Sequence, residues 1–186
     1  MSRKRAESRG KKINPNFWVF CEGETEEAYV SHLRSRYRIP ITIVPKIVGN
    51  RITERFIKSY KKGKPVHEKD RDFLMYDADI PEILEPLKSI KSALLLASSP
   101  SIELWFLLHY KNQTSSITTK DCIKELHNRN RTNYRKGFID GRLEARLTDH
   151  CQDACKRAKS LILFNNPSSN IFELIDILED IRKSAK

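Results

Sequence analysis

Four short apolar runs alternate with stretches of helical periodicity in the first part of the chain. The runs cover residues 17–21, 41–44, 72–76 and 92–98, and their length and their β-branched or aromatic content are typical of buried strands. Between them, apolar residues recur every three to four positions, which is typical of helices. This alternation predicts an α/β fold in which helices flank a mostly parallel four-stranded central sheet.

The pattern beyond these runs is helical. Residues 101–110 are apolar almost all round, and Ser99 with Pro100 is a typical helix start, with the serine as N-cap. Asn170 and Glu173 have the spacing of a capping box. Further helices are therefore predicted over residues 119–127, as a long amphipathic helix over 143–162, and from Asn170 onward.

These elements predict one domain over residues 14–186. Its core covers about residues 14–110, and a helical C-terminal part covers about residues 118–186. Residues 1–13 hold six basic side chains, one acidic side chain and no apolar run, so they cannot bury enough apolar surface to fold. We predict that they form a disordered basic arm.

The net charge of +11 indicates that the surface attracts polyanions, of which nucleic acid is the commonest. No apolar run reaches the roughly 18 residues of a membrane span, and no secretory signal is recognisable. The four cysteines form no C-x-x-C pair, so the predicted compartment is the cytoplasm. Cys151 and Cys155 lie one helical turn apart beside His150, a spacing that favours core packing over a zinc site.

Acidic residues follow three of the predicted strands. Because parallel strands end at one edge of a sheet, these side chains are expected to meet in one crevice. Some of them also have a structural explanation, since Glu26 would favour the dipole at a helix start and an Asp-x-Asp pair is common in turns. A buried charge within the apolar helix at 101–110 has no such explanation. The candidates are Glu22, Glu26, Asp77, Asp79 and Glu103.

Clustered carboxylates are the ligands that hard divalent cations prefer, so we expect the crevice to bind Mg²⁺ or Mn²⁺, as one ion or two. Such ions activate water and stabilise the leaving oxygen of a phosphodiester. No phosphate-binding loop occurs in the chain, which predicts that it is not an ATPase.

A polar basic segment begins at Asn128 and contains Tyr134 and Gly137. It suits phosphate contact and base stacking, although a solvated loop explains it equally well. The predicted nucleic-acid contacts are Arg129, Arg131, Tyr134, Arg135, Lys136 and, from a later helix, Lys159. A second basic group near residues 58–64 is ordinary for the end of a helix and indicates no site alone.

With these residues identified, the sequence resembles the RloB-like family of bacterial and archaeal defence proteins, which belongs to the Toprim superfamily. The resemblance is carried by residues 21–26, 76–79, 98–109, 157–159 and 166–169, and the stretch at 98–109 is its most specific part.

The resemblance implies a Toprim-like fold and the site of the related overcoming-lysogenization nucleases. That site combines an E-x-x-x-E, a D-x-D, an S-x-E and a lysine, which match Glu22 and Glu26, Asp77 and Asp79, Ser101 and Glu103, and Lys136 or, as second choice, Lys159. Four acids would ligate metal, Glu22 would ligate metal or act as general base, Ser101 would orient a ligand or water, and the lysine would stabilise charge.

The expected function is a Mg²⁺- or Mn²⁺-dependent nuclease acting on DNA or RNA. By resemblance it would be the effector of an anti-phage, abortive-infection system, controlled by a separate ATPase of the ABC type. The alternative is a catalytically inactive Toprim-fold subunit that binds nucleic acid or regulates a partner. The presence of an acid at every matched position favours the enzyme.

Overall fold

A computed structural model of the chain describes residues 14–131 and 134–185, so the predicted arm at residues 1–13 lies outside it. Within these ranges the sheet has five strands in the order β2-β1-β3-β4-β5, of which the first four in chain order are parallel. The strands are β1 Asn16–Cys21, β2 Thr42–Ile47, β3 Arg71–Asp77, β4 Leu94–Ser99 and β5 Ser168–Ser169.

The helices cover both faces of the sheet. They are α1 Glu24–Arg36, α2 Glu54–Lys61, α3 Pro81–Ser89, α4 Ile102–Leu108, α5 Thr119–Asn130, α6 Gly141–Asp149, α7 Cys151–Lys159 and α8 Phe172–Ser184, with a 3₁₀ turn at Gly49–Arg51. None of the described helices has the length and apolar character needed to span a bilayer.

The α/β class with a mostly parallel sheet is confirmed, but the predicted count of four strands is wrong. The fifth strand consists of two serines and runs antiparallel to β4. Its side-chain contact is a hydrogen bond of 2.9 Å between the Ser98 and Ser169 hydroxyls. Two serines carry no apolar alternation, so hydrophobic periodicity does not reveal such a strand.

Successive residues of β1 face opposite sides of the sheet, as the strand pleat requires. Phe17 and Val19 pack in the larger core with side chains from α1 and from helices α4 to α8. Trp18 and Phe20 pack on the other face, in a smaller core completed by side chains from α2 and α3. Because C-terminal side chains enter the larger core, the helical C-terminal part is packed on the α1 face.

Three helix boundaries differ from the predictions. Ser99 is the last residue of β4, paired with Ser168, and α4 begins two residues after Pro100, with Ser101 as its N-cap. The long helix predicted over 143–162 is two helices separated at His150, whose ψ of 19° interrupts the helical path.

The third difference concerns Asn170. Its side-chain oxygen accepts a 2.6 Å hydrogen bond from the Ala97 amide, and its side-chain nitrogen donates to the carbonyl of Leu95 and to Glu173. Asn170 therefore holds β4, and the N-cap of α8 is Ile171. The prediction that Cys151 and Cys155 pack in the core is confirmed, because both are buried; Cys21 and Cys122 are buried as well, and all four cysteines are free.

Candidate functional site

The carboxylates predicted to meet at the carboxyl edge of the sheet are linked by backbone hydrogen bonds. Glu22, directly after β1, accepts a 3.0 Å bond from the Asp77 amide at the end of β3. Asp77 in turn accepts a 3.0 Å bond from the Ile102 amide at the start of α4. The ends of β1 and β3 and the start of α4 are thereby joined in one chain of contacts.

Glu26 lies in the first turn of α1, and its side chain folds back onto the helix start. Its carboxylate accepts a 2.9 Å bond from the Gly23 amide, in the manner of a capping box. The residue is only 5% exposed. A cap requires one carboxylate oxygen, so the structural role of Glu26 leaves its second oxygen available for a ligand.

Burial and mutual repulsion make these carboxylates reluctant to ionise. Burial, followed by the charges of Glu26, Glu22 and Glu103, raises the pKa of Asp77 to about 8. The pKa values of Glu22 and Glu26 are also raised, with burial as the largest cause in both. Such crowding favours either protons or a bound cation.

Asp79 lies two residues beyond Asp77 and is exposed. Its charge contributes to the raised pKa of Glu22, which shows that the two side chains are neighbours. Asp79 is therefore on the solvent side of the cluster formed by Glu22, Glu26 and Asp77, where a ligand would enter.

Glu103 is fully buried in α4, and both of its oxygens are engaged. One accepts a 2.7 Å bond from the Ser101 hydroxyl, and the other accepts a 3.0 Å bond from the Tyr134 hydroxyl. The Lys136 ammonium lies 3.6 Å from the second oxygen, while the Lys136 side chain remains 56% exposed. Lys136 therefore bridges the buried carboxylate and the solvent at the mouth of the crevice.

A tight turn brings Lys136 to this position. Arg135 and Phe138 pair across the turn, and Gly137 has the positive φ of 74° that such a turn requires. The Gly137 amide donates a 3.0 Å hydrogen bond to the Thr25 hydroxyl of α1. We call residues 134–138 the Lys136 turn; its contact with Thr25 was not predicted, because the two residues are far apart in sequence.

The other predicted nucleic-acid contacts are dispersed. Arg131 is exposed after α5, whereas Arg129 pairs with Glu125 at 3.1 Å. Lys159, the second choice for the catalytic lysine, pairs with Asp176 at 2.7 Å. Of the two lysines, Lys136 is the one that an ion pair joins to the candidate acids within the described ranges.

Tyr134 does not have the predicted role. Its ring is only 6% exposed, and its hydroxyl is directed to Glu103, so it offers no face on which a base could stack. Burial and the Glu103 carboxylate raise the pKa of this phenol, which keeps it a hydrogen-bond donor. The aromatic ring that the turn does expose is Phe138, at 52%, with the Arg135 guanidinium 5.3 Å from its centre.

Within residues 14–131 and 134–185, no three acidic, histidine or cysteine side chains are already arranged as a metal-binding group. The hydrogen bonds of the acids account for the absence of such a group among the described residues, because Glu22, Glu26 and Asp77 each turn one oxygen toward a backbone amide. A ligand would recruit their remaining oxygens by side-chain rotation. The donor set is all carboxylate, which suits a hard divalent cation.

The fold and the site define an α/β protein with a carboxylate crevice at the carboxyl edge of its sheet. The family model described as RloB-like protein matches residues 17–178, and the chain belongs to this family. The comparison with curated proteins found no match. The comparison with solved structures also found none.

Proposed function

We propose that this protein is a metal-dependent nuclease of the Toprim type, with its active site in the carboxylate crevice. The observation that carries the proposal is the group of Glu22, Glu26 and Asp77, whose pKa values are raised by burial and by neighbouring carboxylates, and none of which has a cation of the described residues within ion-pair distance. A divalent cation is the ligand that relieves this repulsion. Membership of the RloB-like family supports the proposal.

The roles follow from position. Glu22, Glu26 and Asp77 would hold Mg²⁺ or Mn²⁺ through the carboxylate oxygens other than those that accept the bonds from the Asp77, Gly23 and Ile102 amides, and Asp79 would join them from the solvent side. Glu103 can join the ligands only by exchanging one of its present bonds. The bound metal would supply an activated water and stabilise negative charge on the phosphate.

Lys136 is the residue best placed to stabilise charge on the substrate. Its ammonium is anchored at 3.6 Å by Glu103 and is more than half exposed, so it can reach a phosphate oxygen without leaving the crevice. Ser101 holds Glu103 from the other side. In this arrangement Ser101, Glu103 and Tyr134 keep the lysine in place, and Glu22 is the candidate general base.

The substrate is a nucleic-acid backbone. The net charge of +11 attracts a polyanion to the protein surface, whereas the negative charge of the crevice attracts a cation. Arg131, Arg135 and Lys136 are exposed and suit phosphate contact. Both DNA and RNA satisfy these contacts.

A second candidate is a nucleic-acid-binding or regulatory subunit without hydrolysis. The observation that favours it is that acids of the crevice already have hydrogen-bond partners within the protein. Glu26 accepts a bond from the Gly23 amide, and the two oxygens of Glu103 accept bonds from Ser101 and Tyr134. Such a protein would bind nucleic acid independently of Mg²⁺ or Mn²⁺.

The deciding experiment is cleavage of plasmid DNA, tRNA and total RNA in Mg²⁺ and in Mn²⁺ by the full chain. Cleavage by the natural protein, absent in Asp77→Asn, is expected. Asp72→Asn, at the opposite edge of the sheet, is the matched control and should cleave normally. Equal inactivity of the natural protein and Asp77→Asn on all substrates would select the binding subunit.

The biological setting is proposed from the family alone. An unrestrained nuclease endangers its host, so we propose an anti-phage role under the control of a separate ABC-type ATPase. Affinity purification from infected host cells tests the partner. Recovery of this protein alone, with full nuclease activity in uninfected cells, would contradict it.

A further inference from the structure

Helix α2 and the 3₁₀ turn before it carry a row of four positive side chains. Arg55 and Lys58 in α2 and Lys62 at its C-cap follow at spacings of three and four residues, the repeat of one helix face, and Arg51 lies on the 3₁₀ turn before them; all four are exposed. The opposite side of the helix is apolar, with Ile57 buried in the smaller core. The members of this basic row are Arg51, Arg55, Lys58 and Lys62.

The basic row is not neutralised by the protein. No carboxylate in the described part of the chain lies within ion-pair distance of any of its four side chains. The two lysines beside the row are engaged, since Lys61 binds Asp72 at 2.8 Å and the Lys64 ammonium lies 3.2 Å over the ring of Tyr60. The dipole of α2 favours Lys58 and Lys62 at the helix end, but it does not account for Arg55 in the first turn or Arg51 before it, and an external polyanion would neutralise all four charges.

One end of the basic row lies at the acidic crevice. The 3₁₀ turn follows β2, and its Gly49 carbonyl accepts a 2.9 Å hydrogen bond from Tyr76, the residue before Asp77. A Cβ placed on Gly49 would lie 3.9 Å from the carbonyl oxygen of Glu22. From Arg51 the row runs along α2 toward Lys61, whose partner Asp72 lies near the start of β3.

The row and the Lys136 turn lie on opposite faces of the sheet. Helix α2 belongs to the core of Trp18 and Phe20, whereas Tyr134 and α1 belong to the core of Phe17 and Val19. The acidic crevice is at the edge between them. A strand bound to both basic surfaces would therefore cross the crevice.

We propose that the basic row is a track for the nucleic-acid backbone, which leads the strand across the crevice to the Lys136 turn. The proposal rests on the proposed function and adds the path of the substrate. From Arg55 to Lys62 the helix rises about 10 Å at about 1.5 Å per residue, enough to face several phosphates. Lysine and arginine contacts to phosphates carry no sequence information, so binding along the row is independent of sequence.

The test measures affinity of the full chain for a fluorescent 30-nucleotide strand and its duplex over a range of salt concentrations, with EDTA to prevent cleavage. The row variant replaces its four members with glutamine. The control variant replaces four exposed lysines of the opposite face with glutamine: Lys120, Lys124, Lys156 and Lys183.

Each lost phosphate contact lowers the slope of log affinity against log salt by about 0.7 for a single strand and about 0.9 for a duplex. The row variant should therefore lose about 3 from the slope, and the control variant less than about 1. A third variant, Arg51→Lys with Arg55→Lys, keeps the charge and should keep the slope. Thermal melts show that each variant is folded.

A row variant whose slope matches that of the control overturns the track. If the natural protein still cleaves and Asp77→Asn does not, the proposed function survives that result. Absence of both binding and cleavage by the natural protein would instead remove the proposed function. Vesicles containing phosphatidylserine form a separate arm, and row-dependent binding to vesicles without row-dependent binding to nucleic acid would overturn the track as well.

Discussion

The two edges of the central sheet carry the same acidic residue types in opposite electrostatic states. At the amino edge, Asp72 is neutralised by Lys61 at 2.8 Å. At the carboxyl edge, the pKa values of Glu22, Glu26 and Asp77 are raised, and no cation of the described residues lies within ion-pair distance of these three.

The difference contrasts an acid that is paired within the fold with acids that the proposed function assigns to metal binding. A carboxylate that holds the fold together is neutralised by the fold, as Asp72 is. Buried carboxylates that repel one another and have no cation within ion-pair distance lower stability, and under the proposed function a metal ion supplies the missing charge. The basic row on α2 shows the same property with the opposite sign, beside the neutralised Lys61.

The largest expected effect is the loss of cleavage when an acid at the carboxyl edge is replaced. Asp77→Asn should abolish cleavage, a greater loss than the roughly 10²–10³-fold that follows removal of one charge-stabilising group. It should also remove most of the rise in melting temperature that Mg²⁺ or Mn²⁺ produces, because a cation that binds the folded state stabilises it. Cleavage assays and thermal melts with and without metal measure both.

Asp72→Asn is the matched change at the amino edge. It should leave cleavage and the metal-induced shift intact but lower the free energy of unfolding by about 1–3 kcal/mol, through loss of a charge-assisted bond. If both variants lost the metal response equally, the contrast between the edges would not be functional.

The next effect concerns the two lysines. Lys136→Ala should lower kcat by about 10²–10³-fold, since a charge-stabilising group acts chiefly in the transition state. Lys159→Ala should change kcat little, because Lys159 pairs with Asp176 on another helix. Steady-state kinetics on a defined oligonucleotide give both values. A larger loss for Lys159→Ala would reverse the assignment of the catalytic lysine.

A smaller effect tests the turn that places Lys136. Gly137→Ala introduces a side chain at a φ of 74° and brings its Cβ to 3.1 Å from the Glu24 side chain. We expect a loss of about 1–2 kcal/mol of stability from the left-handed backbone. We also expect up to about a 10²-fold loss of kcat from displacement of Lys136.

Gly63→Ala is its control, because Gly63 has a similar φ of 77° and nothing within 4 Å of the added Cβ. It should lose stability by a similar amount while kcat stays unchanged. Equal kinetics for the two glycine variants would show that the turn does not position the lysine. Denaturant unfolding and steady-state kinetics provide the comparison.

The last prediction concerns the pH dependence of stability in metal-free protein. Asp77 has a folded-state pKa of about 8 against an ordinary 3.8, so the folded state binds its proton more tightly than the unfolded state. Its contribution is fully present below about pH 4 and is lost as the pH rises through about 8. Asp77→Asn should therefore lose less stability over this window, as followed by denaturant unfolding in EDTA.

The same experiment with Asp72→Asn sharpens the contrast between the edges. Replacing Asp72 leaves Asp77 and its acidic neighbours in place, so the decline in stability between about pH 4 and pH 8 should remain. A decline of equal size in the natural protein and Asp77→Asn would show that burial and the neighbouring acids do not raise the pKa of Asp77.

Local patterns were sufficient for the main elements and for most of the candidate site. Buried strands are short apolar runs, and acids at their ends must meet when the strands are parallel, so Glu22, Asp77 and Asp79 could be placed from sequence. Glu103 was detected as a charge within an apolar helix, and it is fully buried. The RloB-like resemblance was also carried by local motifs, and the family model confirms it.

Contacts between distant residues decided the rest. The two serines of β5 and the bonds of Asn170 to β4 carry no periodic signal, because each depends on a partner far along the chain. The break at His150 also interrupts no apolar repeat, and the apolar pattern therefore continues through it. The burial of Tyr134 against Glu103 likewise required the packed structure.

The charged residues show the same difference between what the sequence determines and what the packed structure determines. The sequence by itself determined which residues are charged, where strands and helices carry them, and the family to which the chain belongs. Only the tertiary structure decided which charges are neutralised: Lys61 finds Asp72, whereas Arg55 and Asp77 find no ion-pair partner within the described ranges. The physical reason is that hydrophobic periodicity follows from one element, whereas an ion pair such as Lys61 with Asp72 requires two elements to be packed together.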